Sequence, residues 1–247
     1  MKEIFKYSSL IFLHSLAGVY IATCFAIDLK IQGYEERFIG LGLSFWGIGV
    51  ILGAIFHNLI RRKLNLISTI FIGSLIQLLF SLIFLIEINI YLVALMQLIA
   101  GISNAVNSLT IESFISDKFT KTSGFYISLF WSSAGLGAIT ASLIIAINGI
   151  NHFTYYFAVS FYVLHFLPIF IFKKSFMKIY IKNIHMRLTK YNLNKIKYLL
   201  ICVILFGACD AGFSSLFPSY LIESSFKDRQ IGQINFLAGT IALFFYP

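Results

Sequence analysis

Charge is scarce in this chain. Only 12% of the 247 residues are charged and just 10 are acidic, against 59% apolar and a mean hydropathy of +0.87. A water-exposed globule cannot carry that balance, which excludes a soluble enzyme. Proline is nearly absent at three residues, and with 17 glycines the chain has neither a collagen-like nor a disordered composition. Cysteine is equally sparse. Cys24, Cys202 and Cys209 are odd in number, sit in apolar runs and form no Cys-x-x-Cys pair, so neither a disulfide framework nor a metal site is indicated. No G-x-x-x-x-G-K-[ST], H-E-x-x-H or G-x-S-x-G occurs, so nothing calls for a nucleotide, a prosthetic group or an enzymatic role.

Long hydrophobic runs are what the chain does have. A helix needs about 20 apolar residues to cross the hydrocarbon core. Seven such stretches lie between charges: Tyr7 to Ile27, Phe38 to Ile60, Leu64 to Ile86, Ile90 to Phe114, Gly124 to Ile147, Phe153 to Phe172 and Leu199 to Ile222. An eighth begins near Ile231. From Thr122 to Phe172 no charge occurs over 51 positions, too many for one span, and Asn148-Gly149-Ile150-Asn151-His152 supplies the turn that splits it. Lipid-embedded backbone must be paired within its own segment, and barrel strands of about 10 alternating residues would leave another pattern. The expectation is an all-α polytopic membrane protein with about 7 to 8 transmembrane helices. Lys2 and Lys6 precede the first run as in a signal peptide, but the run is longer than a signal core and reads as a retained helix.

The basic residues orient the spans. With a cytoplasmic amino terminus, Lys2, Lys6, Arg61, Arg62, Lys63, Lys118, Lys121 and eight residues between Lys173 and Lys197 all fall on the inner side. Only Lys30, Arg37, Lys227 and Arg229 fall opposite. The formal charge of +9 therefore reads as topology in a cell (inner) membrane and as contact with anionic lipid, not as nucleic-acid binding.

An offset of 192 residues aligns Glu36-Arg37 with Asp228-Arg229, Ile39-Gly40 with Ile231-Gly232, Gly47 with Gly239, and Leu13, Phe25 and Leu29 with Leu205, Phe217 and Leu221. The seventh span thus restarts the plan of the first, as in parallel repeats about an axis along the membrane normal. The chain divides into a six-helix bundle (1–172), a basic cytoplasmic linker (173–198) and the start of a second bundle (199–247). Phe176, Ile179, Tyr180 and Ile184 would give the linker an apolar stripe for the interface; a solvated basic linker is the equal alternative.

Six helices, a long basic loop and a second start resemble the major facilitator superfamily of secondary transporters. The loop after the second span is similar to that family's G-x-x-x-D-[RK]-x-G-R-R-[RK] pattern. Gly53, Arg61, Arg62 and Lys63 stand at matching positions, while His57 replaces the Asp, Asn58 the basic residue and Ile60 the second Gly. The resemblance implies a gating loop built on Gly53, His57, Arg61, Arg62 and Lys63, the alternative being positive-inside anchoring alone. Gln97, Gly101 and Ala105 resemble the family's R-x-x-x-G-x-x-x-A signature with Gln for Arg, and Ser133-Ala134-Gly135-Leu136-Gly137 loosely resembles a glycine-rich run of drug antiporters. Ile111-Glu112-Ser113 and Leu243 to Pro247 look similar to poorly characterised bacterial sugar- and drug-efflux-like carriers. Such carriers usually have 12 spans, whereas this chain stops at Pro247 inside the eighth, which reads as a truncated, non-transporting remnant or a half-transporter needing a partner polypeptide.

Within that frame, Gln97, Gly101, Asn104, Ser108 and Glu112 recur at helical spacing on the fourth span and form one polar stripe. The resemblance implies that this stripe lines a cavity for a small-molecule substrate; interhelical glue is the alternative. Asp210 lies near the middle of the seventh span, where an acid costs about 2.5 to 3.5 kcal/mol on insertion scales. It reads as a site for a proton, the candidate coupling ion, or for a cationic group. His14 and His165 lie inside the first and sixth spans, where a lone histidine is usually a hydrogen-bonded packing residue and substrate contact is the alternative; His14 is carried forward as a candidate, and Ser128, Ser132 and Gly135 share a face suited to packing on the eighth or second helix.

Overall fold

The computed structural model describes residues 2–83, 85, 89–151, 153–171 and 217–245, with no strand among them. Helices α1 (Lys2–Ile31), α2 (Glu36–Lys63), α3 (Leu66–Ile83), α4 (Ile90–Lys118), α5 (Ser123–Asn148) and α6 (Thr154–Ile171) follow one another with short turns. A helical stretch at 217–223 (α7) and α8 (Asp228–Phe245) complete the described chain. Six of these helices, α1 to α6, are long and apolar enough to cross a membrane. The protein is an all-α polytopic membrane protein, and each of the first six expected spans lies on one of those helices. The linker at 173–198, most of the seventh expected span and Asp210 lie outside the described residues.

Helix boundaries follow local chemistry. Asn65 accepts a hydrogen bond from the Ser68 amide (2.8 Å) at the start of α3, and Asn89 caps α4 by accepting from the Leu92 amide (3.0 Å). The uncharged stretch breaks where its turn residues lie. Gly149 takes a φ of +67°, a conformation open to glycine, and Thr154 Oγ1 accepts from the Asn151 amide (2.8 Å).

α1 ends in a Schellman motif, with Tyr34 N–H donating to Leu29 O (3.1 Å), Gly33 N–H donating to Lys30 O (3.0 Å) and Gly33 at φ +89°. The same motif ends α7: Phe226 N–H donates to Leu221 O (2.9 Å), Ser225 N–H to Ile222 O (3.0 Å), and Ser225 takes φ +67°. These two corners are related by the offset of 192 residues that aligns the sequences, and α2 and α8 both begin immediately beyond them, at Glu36 and Asp228.

α1 is central. Ala17, Tyr20, Cys24, Phe25 and Leu29 are fully buried, and the helix packs against α5 and α6. α2 lies on α4 through glycine. A Cβ on Gly53 would stand 2.6 Å from Ile102 O and 2.8 Å from Ala105 Cβ, and Gly49 and Gly101 face each other's backbone. The opposite side of α2 exposes Leu41, Ile51 and Ile55, as a helix solvated by lipid would. α8 lies on α5, with Gly232 against the backbone of Ile145 and Ala146 and Gly239 against Ile139. Ile139 and Ala146 continue the stripe of Ser128, Ser132 and Gly135, so that face of α5 does meet the eighth helix.

Candidate functional site

The middle of α4 carries two polar faces. Asn104 and Ser108 point towards α1 and α6, and the Ser108 hydroxyl donates to Asn104 Oδ1 (3.4 Å). The Asn104 amide makes a polar contact with His14 of α1. His165 of α6, only 3% exposed, stands beside His14 with ring centroids 5.5 Å apart and an interplanar angle of 59°. Together with Asn107 and aliphatic side chains of α1, α3 and α4 these groups line a cavity of about 10 Å³, close to the minimum that holds one water.

The second face meets α3. Ser103 Oγ and both amide atoms of Asn107 stand against Gly73, where a Cβ would come within 2.6 to 2.9 Å of them. Neither residue finds a hydrogen-bond partner for these atoms. Gln77 of α3 donates to Ala100 O (3.3 Å) but leaves its Oε1 unpaired. Both ring nitrogens of His165 are also unpaired, the nearby Leu10 carbonyl falling outside hydrogen-bond geometry. Buried polar atoms without partners cost about 1 to 3 kcal/mol each. Most of those among the described residues gather in this one zone of α3, α4 and α6.

That concentration makes a direct expectation. Ser103→Ala removes an unpaired hydroxyl with almost no change in shape. It should raise the thermal midpoint of the detergent-solubilised protein, corresponding to about 1 kcal/mol. A lower midpoint would show that Ser103 has a partner that holds the helices together.

Other residues of the sequence reading fall elsewhere. Gln97 is buried on α4 (6% exposed) but does not line the cavity, and Gly101 on the same stripe serves as a backbone contact for α2. Glu112 turns to α5, where Trp131 Nε1 donates to its carboxylate (2.6 Å). His57 is buried against α4, with its Nε2 3.1 Å from Thr110 Oγ1. The Thr110 hydroxyl donates to Val106 O (2.6 Å), so His57 is the donor in that pair. Gly53 packs on α4, Lys63 is exposed at the end of α2, and the side chains of Arg61 and Arg62 lie outside what is described.

His165, Asn107, Ser103 and Gln77 were not singled out by the sequence as site residues. A signal was present on α3, whose buried polar residues Ser74, Gln77 and Ser81 recur at separations of three and four.

At the opposite membrane face from the α1 amino terminus, polar groups join the two repeat units. Lys30 pairs with Glu36 and reaches Glu223 at 3.7 Å, Tyr155 OH donates to Asp28 (3.0 Å), and the Ser219 hydroxyl donates to Ala26 O (3.4 Å). The Asp228 carboxylate accepts from the Ile150 amide in the α5–α6 turn. Among the described residues no cluster of three metal-binding side chains occurs.

No protein-family model matches the chain, and no curated protein matches it.

Proposed function

We propose that this protein is a secondary active transporter of the major facilitator type, moving a small solute by alternating access about the centre of its first bundle. In this reading it resides in the cell (inner) membrane with its amino terminus in the cytoplasm, an orientation the bias of its basic loops supports. One observation supports the reading above the others: the unpaired, buried polar atoms of Asn107 on α4 and His165 on α6 line one small cavity with His14, and those of Ser103 and Gln77 lie on the adjoining α3–α4 contact. In lipid such groups are expensive unless a solute, an ion or water meets them during the working cycle. The lining is neutral, with amide, hydroxyl and imidazole groups suited to a polar solute rather than a strong anion.

The repeat-related corners at Gly33 and Ser225 support the same plan, because parallel repeats are one of the constructions from which rocking bundles are made. The contacts of Lys30 with Glu223 and of Asp228 with the Ile150 amide tie α1 and the α5–α6 turn to α7 and α8 at one membrane face. Alternating access requires those contacts to part and the opposite side to close in turn.

Ser108→Cys tests the cycle without knowledge of the solute. In a chain whose native cysteines are replaced, a membrane-impermeant maleimide should label the new thiol from the inner face in inverted vesicles and from the outer face in right-side-out vesicles. Reaction from one face alone, or from neither, would exclude alternating access at this site.

A further inference from the structure

The geometry points to His14 and His165 as a two-imidazole site that binds one proton between them through the single water their cavity can hold. This rests on the transport reading for its place in a working cycle, but the site itself stands on the arrangement of the groups.

The two rings come from α1 and α6, with centroids 5.5 Å apart across the cavity. His14 is oriented by the Asn104 amide, which Ser108 in turn engages. His165 has both ring nitrogens buried and without a hydrogen-bond partner. A neutral imidazole offers one donor and one acceptor; the nearby Leu10 carbonyl can serve only the donor, so the acceptor nitrogen lacks a donor from the protein. The single water of the cavity can bridge one of those nitrogens to His14, and a proton added there has two bases to hold it: one ring is the imidazolium donor and the other accepts through the water. A second proton would place like charges side by side in a lipid-embedded cavity, so the pair takes up one proton and titrates as a unit.

The surroundings keep the site to that single charge. α3 contains no ionisable residue, and on α5 the nearest is Tyr126, towards the inner end. On α6, Tyr162 is less than one turn from His165; on α1, Tyr7 lies two turns from His14 and packs with its ring tilted against Phe114. On α2, His57 is bound to Thr110. On α4, Glu112 is one turn beyond Ser108, but its carboxylate is held by Trp131. No anion lines the cavity. A divalent metal ion would bring twice the charge of one proton into a cavity with no anion to offset it.

The test is a titration of the full chain in lipid nanodiscs with 15N-labelled histidine, following the imidazole nitrogens by NMR from about pH 4 to 9. Resonances are assigned with His14→Gln and His165→Gln. The expected result is that His14 and His165 move together at one midpoint, each through roughly half the shift of a fully protonated ring, so that the pair gains one proton. In His14→Phe, which keeps a ring but no nitrogen, the His165 midpoint should fall by about one pH unit or more. Full shifts of both rings at separate midpoints, no shift of either, or a His165 midpoint unmoved by His14→Phe would overturn the assignment. If His14→Phe fails to fold, co-titration in the unaltered chain decides alone. The transport reading fails separately. A co-titrating pair in a protein that never labels from both faces at Ser108→Cys would leave the shared proton standing and remove the carrier, and independent titration with two-sided labelling would do the reverse.

Discussion

Gly101→Val is expected to separate α2 from α4 and to give the largest loss of stability of any single change considered. A Cβ at this position would collide with Trp46 O and stand within 3.0 Å of Val50 N and Gly49 Cα, all backbone atoms that cannot swing aside. Overpacking of this kind costs about 1 to 3 kcal/mol even when neighbours are side chains. In lipid the loss is not offset by hydrophobic association, because helix pairs there are held by close packing. The variant should elute as aggregate in fluorescence-detected size exclusion, with a strongly lowered thermal midpoint in any remaining monomer. Gly18→Ala is the control, since its added Cβ meets nothing within 4 Å and alanine is the better helix former. Equal midpoints for the two variants would show that α2 does not lie on α4 through glycine.

The second large effect concerns the contact between α5 and α8. Gly232 presses on Ala146 Cα and Ile145 C, at 2.7 and 2.8 Å from a would-be Cβ, so Gly232→Val must push α8 away. Two turns further along, Gly239 lies against Ile139, which makes Ile139→Cys with Gly239→Cys a reporter pair. Oxidation in membranes of a chain otherwise free of cysteine should cross-link this pair efficiently. Adding Gly232→Val should lower the yield about tenfold or more, because a cost of 1 to 3 kcal/mol shifts the docked population by roughly that factor. An unchanged yield would mean that Asp228 alone, through its bond to the Ile150 amide, keeps α8 in place.

Much of the architecture was legible because lipid imposes length. The first six expected spans agree with α1 to α6 apart from a few residues at each end, and the turn at Asn148 to Asn151 appears where the uncharged stretch had to break. At the same offset of 192 residues the backbone turns alike, Gly33 and Ser225 occupying matching corners. The site was less so. Helical spacing groups Asn104 with Ser108 on one face of α4, but spacing within a helix cannot say which helix lies opposite. His14 and His165 therefore read as separate residues, although the fold places their rings side by side. Glu112 shares the stripe by period and still leaves the cavity for Trp131. α2 shows why polarity is a poor guide here: it turns backbone inward at Gly49 and Gly53 and bulk outward at Leu41 and Ile51. Sidedness in that helix is written in volume, to which a search for amphipathic faces is blind.

The paired corners are alike in shape but not in ease. At Gly33 the left-handed turn is relaxed, while at Ser225 an L side chain is held in the same region at a cost of about 1 to 2 kcal/mol. Of the two elbows, the later one is thus the more readily straightened, and the direction in which α8 leaves it depends on its moorings at Ile150 and Ala146 more than on the bend itself.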